Sequence, residues 1–243
     1  MEILSIKEII KRIKNLDRFE ATPTDHSFHI KIREYVPFVC AAIHAGGNLR
    51  EQLKQQIIHS DYERWYEEDP FTDTFITSMP LTIIGLDSRF EYDLNRSLQH
   101  CVYDKAWGKK VWKKSLSGAQ KKESISKHAK FYKVIDALVE TIEDLHKGCI
   151  VFDMHSYNYV RHNKELPVFN IGTKNIDNNK YKNVISKWFE DIKSIKLGNF
   201  ESSTEINGPF QGNGNLLMHI TSKFNNTLVL ATEVKKIFCN ELD

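Results

Sequence analysis

The chain has 243 residues, 41% hydrophobic and 27% charged, the usage of an ordinary globular protein able to bury a core without disulfide or metal support. Lysine plus arginine (34) nearly balances aspartate plus glutamate (32), and a formal charge of +2 gives no electrostatic case for nucleic acid binding. Apolar runs fall far short of the ~20 residues that span a bilayer, the four cysteines form no CxxC pair, and the N-terminus lacks a signal-peptide core, so a reducing, cytoplasmic setting is expected.

Residues 2–16 carry Ile3, Leu4, Ile6, Ile9, Ile10, Ile13 and Leu16 at helical spacing. Tyr35 to Ile43 is a short, almost wholly apolar run that ends in His44 and a Gly-Gly pair, the pattern of a strand buried on both faces. Residues 49–66 read as helix, Leu81 to Leu86 and Phe90 to Leu94 as strands. The charge cluster from Lys105 to Lys133 reads as a solvated loop running into a helix. That helix, His128 to His146, has the strongest periodicity in the chain, with Gly148 as its expected cap. Cys149 to Met154 is a second buried strand running into a histidine, followed by a strand at Pro167 to Ile171, a helix at Tyr181 to Ile195 and a strand at Asn226 to Val234. No linker or repeat divides the sequence. The alternation predicts one α/β domain over residues 1–243, an α/β/α sandwich around a mixed, largely buried sheet.

In such sheets ligand sites gather at strand ends. His44 and His155 follow two of the buried strands, and between them lies the acidic run Glu67, Glu68, Asp69 and Asp73. Glu67 reads as a solvated helix end. Pro70 stops the helix and drives the preceding residue out of the helical region, which can aim a carboxylate inward. Two histidines, one carboxylate and an open position make a catalytic zinc set. Arg89 and Arg96 bracket SRFEYDLNR and suit an anionic substrate through bidentate guanidinium pairing. Glu233 interrupts the apolar run LVLATEV, where a carboxylate must pair with a cation or face a polar site. The stretch Asn207 to Asn215, with Gly208, Gly212 and Gly214, suits either a substrate-covering loop or a long surface turn. Cys40 and Cys149 read as inert small hydrophobes, and Trp65, Trp107, Trp112 and Trp188 as packing.

Taken in order, IHAGG, EDPFTD, SRFEYDLNR, FDMHSY and TEV resemble the N-formylglutamate amidohydrolase family, itself similar to zinc carboxypeptidases and aspartoacylase-type deacylases. The resemblance implies one zinc per chain on His44 and His155. Gly47 stands where the HxxE pattern of carboxypeptidases has its glutamate, so Asp69 or Glu68 would complete the set. It implies Glu233 as general base, Asn95 and Arg96 as the grip on a substrate carboxylate, and Arg89 as a group that polarises the scissile carbonyl or binds a second carboxylate. Tyr157 would line the pocket or pack. The implied reaction cleaves the amide of an N-acyl acidic amino acid such as N-formyl-L-glutamate. The alternatives are a carboxypeptidase-like peptidase and a catalytically silent carboxylate binder. The expected partner is a small carboxylate, with no nucleic acid and no membrane.

Overall fold

The computed structural model describes residues 1–198 and 201–239. In chain order these residues form β1 (Glu2–Leu4), α1 (Ile6–Lys14), β2 (Phe19–Pro23), β3 (Phe28–Ile32), β4 (Phe38–Ala42), α2 (Glu51–Lys54), α3 (Asp61–Glu67), β5 (Leu81–Gly85) and the hairpin β6 (Lys105–Ala106) and β7 (Lys109–Lys110). There follow α4 (Gly118–His146), β8 (Cys149–Tyr157), β9 (Phe169–Gly172), α5 (Lys182–Lys193), β10 (Thr204–Ile206), α6 (Asn215–Lys223) and β11 (Thr227–Lys235). Nine strands make one mixed sheet in the order β1-β2-β3-β5-β4-β8-β11-β9-β10. Its centre is parallel, with β4 between β5 and β8 and β11 beside β8. On either side β3 and β9 join antiparallel.

Successive residues of a strand point to opposite faces, which explains why the central strands are apolar throughout. Val39, Ala41, Val151 and Val229 pack under Ile9 and Ile13 of α1, Phe131, Leu138 and Ile142 of α4, and Leu217 and Ile220 of α6. Their neighbours Cys40, Ala42, Leu228 and Leu230 face the other way, towards Ile76 or Ile185 of α5. The result is the sandwich of helices around a mixed sheet that the alternation implied. Burial raises the thiols of Cys40 and Cys149 to about 12, in keeping with inert packing. Among the described residues no helix is long and apolar enough to cross a membrane.

Several local expectations are corrected. Residues 2–16 are a strand and a helix, because Ser5 and Glu8 form a capping box that starts α1 at Ile6. Residues 49–66 split into α2 and α3, the second begun by a Ser60–Glu63 capping box. Helix α4 starts ten residues before His128, where Ser117 and Gln120 form another such box. It ends on Lys147 in the left-handed conformation (φ 64°), not on Gly148. Phe90 to Leu94 is not a strand: Ser88 to Arg96 is a run of turns closed by Glu91 N–H to Ser88 O (2.9 Å) and Arg96 N–H to Asp93 O (3.1 Å). Strand β8 continues through His155 to Tyr157, so this histidine lies inside the strand rather than beyond its end. Strands β2, β3 and β10 and helix α6 were not anticipated. In β3 the alternation of Phe28, Ile30 and Ile32 with His29 and Lys31 was a readable period-two signal.

Candidate active site

Three parallel strands deliver the site. The turn after β4 holds His44, and Gly46 lets it lie flat on Leu86, where a Cβ would come within 2.2 Å of the Leu86 carbonyl. Helix α3 stops at Glu67, Glu68 is extended (ψ 170°), and the Asp69 N–H donates to the His44 carbonyl at 3.0 Å. The acidic run therefore docks on the histidine turn, as the stop at Pro70 allowed. In the β8–β11 ladder Glu233 lies opposite His155, and Asp153 opposite Ala231 one pleat earlier, so these side chains share a face.

The two imidazoles meet at one carboxylate. His155 Nδ1 is 3.0 Å and His44 Nδ1 3.4 Å from Asp69 Oδ2, and ligand atoms of the three residues lie within 4.8 Å of one another. Behind each ring stands a second carboxylate: Asp93 Oδ1 is 2.7 Å from His44 Nε2, and Asp153 Oδ1 is 3.0 Å from His155 Nε2. At His44 the hydrogen bond to Asp93 fixes the proton on Nε2 and turns the Nδ1 lone pair inward, whereas the Asp153–His155 contact is an ion-pair distance without hydrogen-bond geometry. His44 Nδ1 is buried with no hydrogen-bond partner in the protein. An orphaned inward imidazole nitrogen, a second imidazole and a buried carboxylate oxygen are a donor set that fits a divalent transition metal. The electrostatics agree. Burial favours a neutral Asp69, yet His155 and His44 hold its pKa well below the usual range. Burial likewise opposes charge on His155, but Asp153, Asp69 and Glu233 raise its pKa well above normal. The cluster thus attracts positive charge.

Glu68 is the acidic alternative that lies elsewhere. Its carboxylate accepts from the Ser88 hydroxyl and lies 3.8 Å from Arg64, and burial raises its pKa. Glu67 is not a solvated helix end: it pairs with Arg161 at 2.8 Å and lines the cavity above the histidines.

That cavity, of about 390 Å³, brings together His44, Asp69, His155, Arg89, Asn95, Arg96, Tyr157 and Glu233. Burial pushes the Glu233 carboxyl up to about 8, against the pull of His155. Arg89 is ion-paired to Asp93 at 2.9 Å and lies 4.0 Å from Asp69, and these carboxylates outweigh burial to keep it firmly cationic. Arg96 is exposed, with its guanidinium 3.4 Å from the Asn95 carbonyl and no ion pair among the described residues. Asn95 Oδ1 is buried without a partner. Tyr157 presents its ring to the cavity while its hydroxyl donates to the Pro167 carbonyl. The Asn207 to Asn215 stretch is a wall of the site, since Pro209 to Gly214 line it. Of its three glycines only Gly212 is left-handed (φ 79°), whereas Gly214 is needed for closeness, its Cβ position being 2.2 Å from the Asn95 amide.

Four further residues belong to this constellation and were not singled out from the sequence in this way. Asp93 sits inside the DLNR motif, and Asp153 precedes His155 by two, the strand period that puts both on one face. Trp107, expected to pack, is 41% exposed and lines the cavity, with the Arg89 guanidinium 5.2 Å from its ring centroid. Lys236 is buried and donates to the carbonyls of Tyr66 (2.7 Å) and Glu68 (2.6 Å) and to Asn158 Oδ1 (2.8 Å), pinning the segment that carries Asp69.

The loop of Ser88 to Arg96 is held from beneath by α4 and α2. Glu91 is fully buried between Arg50 (2.7 Å) and Lys127 (3.3 Å), and Lys127 also meets Asp87 at 3.0 Å. His128 Nε2 is 2.9 Å from the Arg96 carbonyl, and the Tyr132 hydroxyl donates to the Leu94 carbonyl at 2.5 Å. Irregular backbone is thereby made rigid where Asn95 and Arg96 enter the cavity.

The comparisons with known proteins agree with this architecture. The crystal structure of N-formylglutamate amidohydrolase from Ralstonia eutropha JMP134 superposes with a TM-score of 0.68 at 14% identity, covering 86% of each chain. A gene product of Agrobacterium tumefaciens gives a TM-score of 0.68 at 14% identity, covering 88% of this chain and 87% of that one. At that identity the likeness is one of fold. No curated protein matches the chain. The family model for N-formylglutamate amidohydrolase matches residues 36–237, the span that holds every residue of the cavity, and the chain belongs to the N-formylglutamate amidohydrolase family.

Proposed function

We propose that this protein is a zinc-dependent amidohydrolase that cleaves the amide of an N-acyl acidic amino acid, with N-formyl-L-glutamate as the reference substrate. The observation that carries the reading is the convergence of His44 Nδ1, His155 Nδ1 and Asp69 Oδ2 in a cavity that also contains Arg89, Asn95, Arg96 and Glu233. His44, Asp69 and His155 would hold the ion. Zinc bound there would act as a Lewis acid on the amide carbonyl and make water a better nucleophile at neutral pH.

The chain's own groups divide the remaining work. Arg96, which has no ion pair among the described residues, and the Asn95 amide take the substrate carboxylate through charge-assisted hydrogen bonds. Glu233 accepts a proton from the attacking water and returns it to the leaving nitrogen as the C–N bond breaks. In the metal-free chain burial holds a proton on this carboxyl, and a dication held by His44, Asp69 and His155 would favour its charged form, the form that accepts the water proton. Arg89 adds positive charge where the oxyanion develops, a kind of donor whose loss costs about 3–4 kcal/mol. The products are a free amino acid and a small carboxylate.

The test is zinc content by elemental analysis together with hydrolysis of N-formyl-L-glutamate, for the wild type and for His44→Ala and His155→Ala. The expected result is about one zinc per chain, lost in both variants, with hydrolysis abolished. Failure to take up zinc from excess metal overturns the metal assignment and leaves a carboxylate-binding protein.

A further inference from the structure

Arg89 is held at its edges. Its Nε and Nη2 donate to Asp93 Oδ2 (3.3 and 2.9 Å) and its Nη1 to the Glu67 carbonyl (3.1 Å), so three of its five N–H groups are committed. One N–H on each terminal nitrogen is left for the cavity that Arg89 lines. Acceptors in the guanidinium plane fix its place but let it tilt about the line that joins them. A contact on the face removes that tilt, and here the face lies on Trp107, with Cζ 5.2 Å from the ring centroid.

Trp107 is placed there against backbone preference. Strands β6 and β7 are joined by Trp107 (φ 48°) and Gly108 (φ 77°), two left-handed residues of the kind a type I′ turn demands. Asn meets that demand at the first position far better than a bulky ring. Strain of this kind persists only where the surroundings enforce it, and it gathers at functional sites. The indole packs on Phe90 (5.4 Å) and Tyr103 (5.8 Å). The Tyr103 hydroxyl donates to Asp93, the same carboxylate that holds Arg89, and Trp112 Nε1 ties the base of the hairpin to the Tyr103 carbonyl at 2.6 Å. The hairpin therefore braces the guanidinium directly through Trp107 and indirectly through Tyr103 and Asp93.

Trp107 also lines a second cavity, of about 440 Å³, which shares Glu67 and Arg161 with the first. Arg89 lines the first and not the second, so the indole is a common wall between them. Removing it joins the two spaces and lets water onto the guanidinium face, where the charge is then screened.

We infer that Trp107 is a positioning residue: its indole fixes the plane of Arg89 and keeps that face dry, so that the two remaining N–H groups are preset for the oxyanion of amide cleavage. The inference rests on the proposed amidohydrolase function. Donors preset in this way need no reorganisation as charge develops.

Calorimetry on the zinc-loaded protein compares N-methyl-L-glutamate with N-phosphono-L-glutamate, whose tetrahedral phosphoryl oxygens stand where the oxyanion would form. Trp107→Leu is expected to weaken the phosphoryl ligand about tenfold and the methyl ligand less than about twofold, Trp107→Phe to restore most of the loss, and Trp107→Leu to add nothing to Arg89→Lys. In the metal-free protein, NMR should show the Arg89 Nε–H exchanging with water at least about tenfold faster in Trp107→Leu. Equal losses on the two ligands, no binding of the phosphoryl ligand, a full loss in the Arg89→Lys background, or unchanged exchange overturns the positioning role. Hydrolysis of N-formyl-L-glutamate by the wild type is measured separately. Its absence alongside the selective loss defeats the function and keeps the positioning role; hydrolysis without the selective loss does the reverse.

Discussion

Replacing Asp93 by asparagine tests the centre of the site in one step. Asp93 is fully buried and accepts from His44 Nε2 (2.7 Å), Arg89 Nη2 (2.9 Å), the Asn95 N–H (2.6 Å) and the Tyr103 hydroxyl. Burial by itself would raise its pKa, but Arg89 and His44 hold it well below the ordinary value. Asn keeps the shape, removes the charge and turns one acceptor into a donor that faces other donors. Deleting one partner of a buried ion pair costs about 3–5 kcal/mol, which includes the hydrogen bonds to the lost charge. His44 also loses the anion that orients its ring, and outer partners of this kind are worth about 10–100-fold in metal affinity. The assays are urea unfolding of the metal-free protein and zinc titration against a competing chelator, with the exposed Asp144→Asn as control. A carboxylate whose folded pKa is depressed contributes stability above its unfolded value, so the wild-type advantage should hold at every pH above ~4 and fade only below it. Stability within about 0.5 kcal/mol of wild type, with zinc affinity unchanged, would refute the role given to Asp93.

Lys236→Met should cost about 3–5 kcal/mol, because the carbonyls of Tyr66 and Glu68 lose a buried cation, and should lower zinc occupancy by loosening Asp69; unchanged occupancy in a folded variant contradicts the link. His128→Leu removes the contact to the Arg96 carbonyl and is expected to raise KM for N-formyl-L-glutamate about tenfold with a smaller change in kcat, whereas His128→Gln restores much of the loss; equal effects on both variants would point to packing alone. For Glu233 the sign is opposite to that of Asp93. With its pKa raised to about 8, the folded metal-free chain keeps a proton that the unfolded chain releases near ~4.3, so stability falls as pH rises between those values. Glu233→Gln should therefore gain on the wild type across that window in urea unfolding and hold a constant gap above it; a gap that narrows with rising pH contradicts the assignment.

Much of the architecture was legible because the central strands are buried on both faces and so read as continuous apolar runs. The runs at Tyr35 to Ile43, Leu81 to Leu86, Cys149 to Met154 and Asn226 to Val234 correspond to β4, β5, β8 and β11, the strands that carry or flank the site. Strands away from the parallel centre were harder to read. In β2 and β3 charged side chains such as Glu20 and Lys31 interrupt the pattern, and the Lys31 amine is accommodated only because Thr77 offers its carbonyl at 2.6 Å. The segment of Ser88 to Arg96 alternates like a strand yet is none, because Glu91, Asp87 and Asp93 turn inward to cations on α2, α4 and the loop itself.

Residue chemistry alone determined which side chains could do the work: two histidines after apolar runs, a carboxylate before a proline, a glutamate inside an apolar strand, and arginines suited to an anion. Which of Glu68 and Asp69 faces the histidines depended on the third dimension. These adjacent side chains point apart, one to Ser88 and Arg64, the other to both imidazoles. The carboxylates behind the rings and the tryptophan at the junction of two cavities belong to the same category. Asp93 is 49 residues from His44, and no local period links them; the parallel order of β4, β8 and β11 and the docking of an irregular loop on α4 bring them within 2.7 Å. Local spacing specifies faces and ends of elements, because backbone geometry repeats over a few residues. Contacts between distant turns are settled only when the sheet assembles and its ends share one cavity.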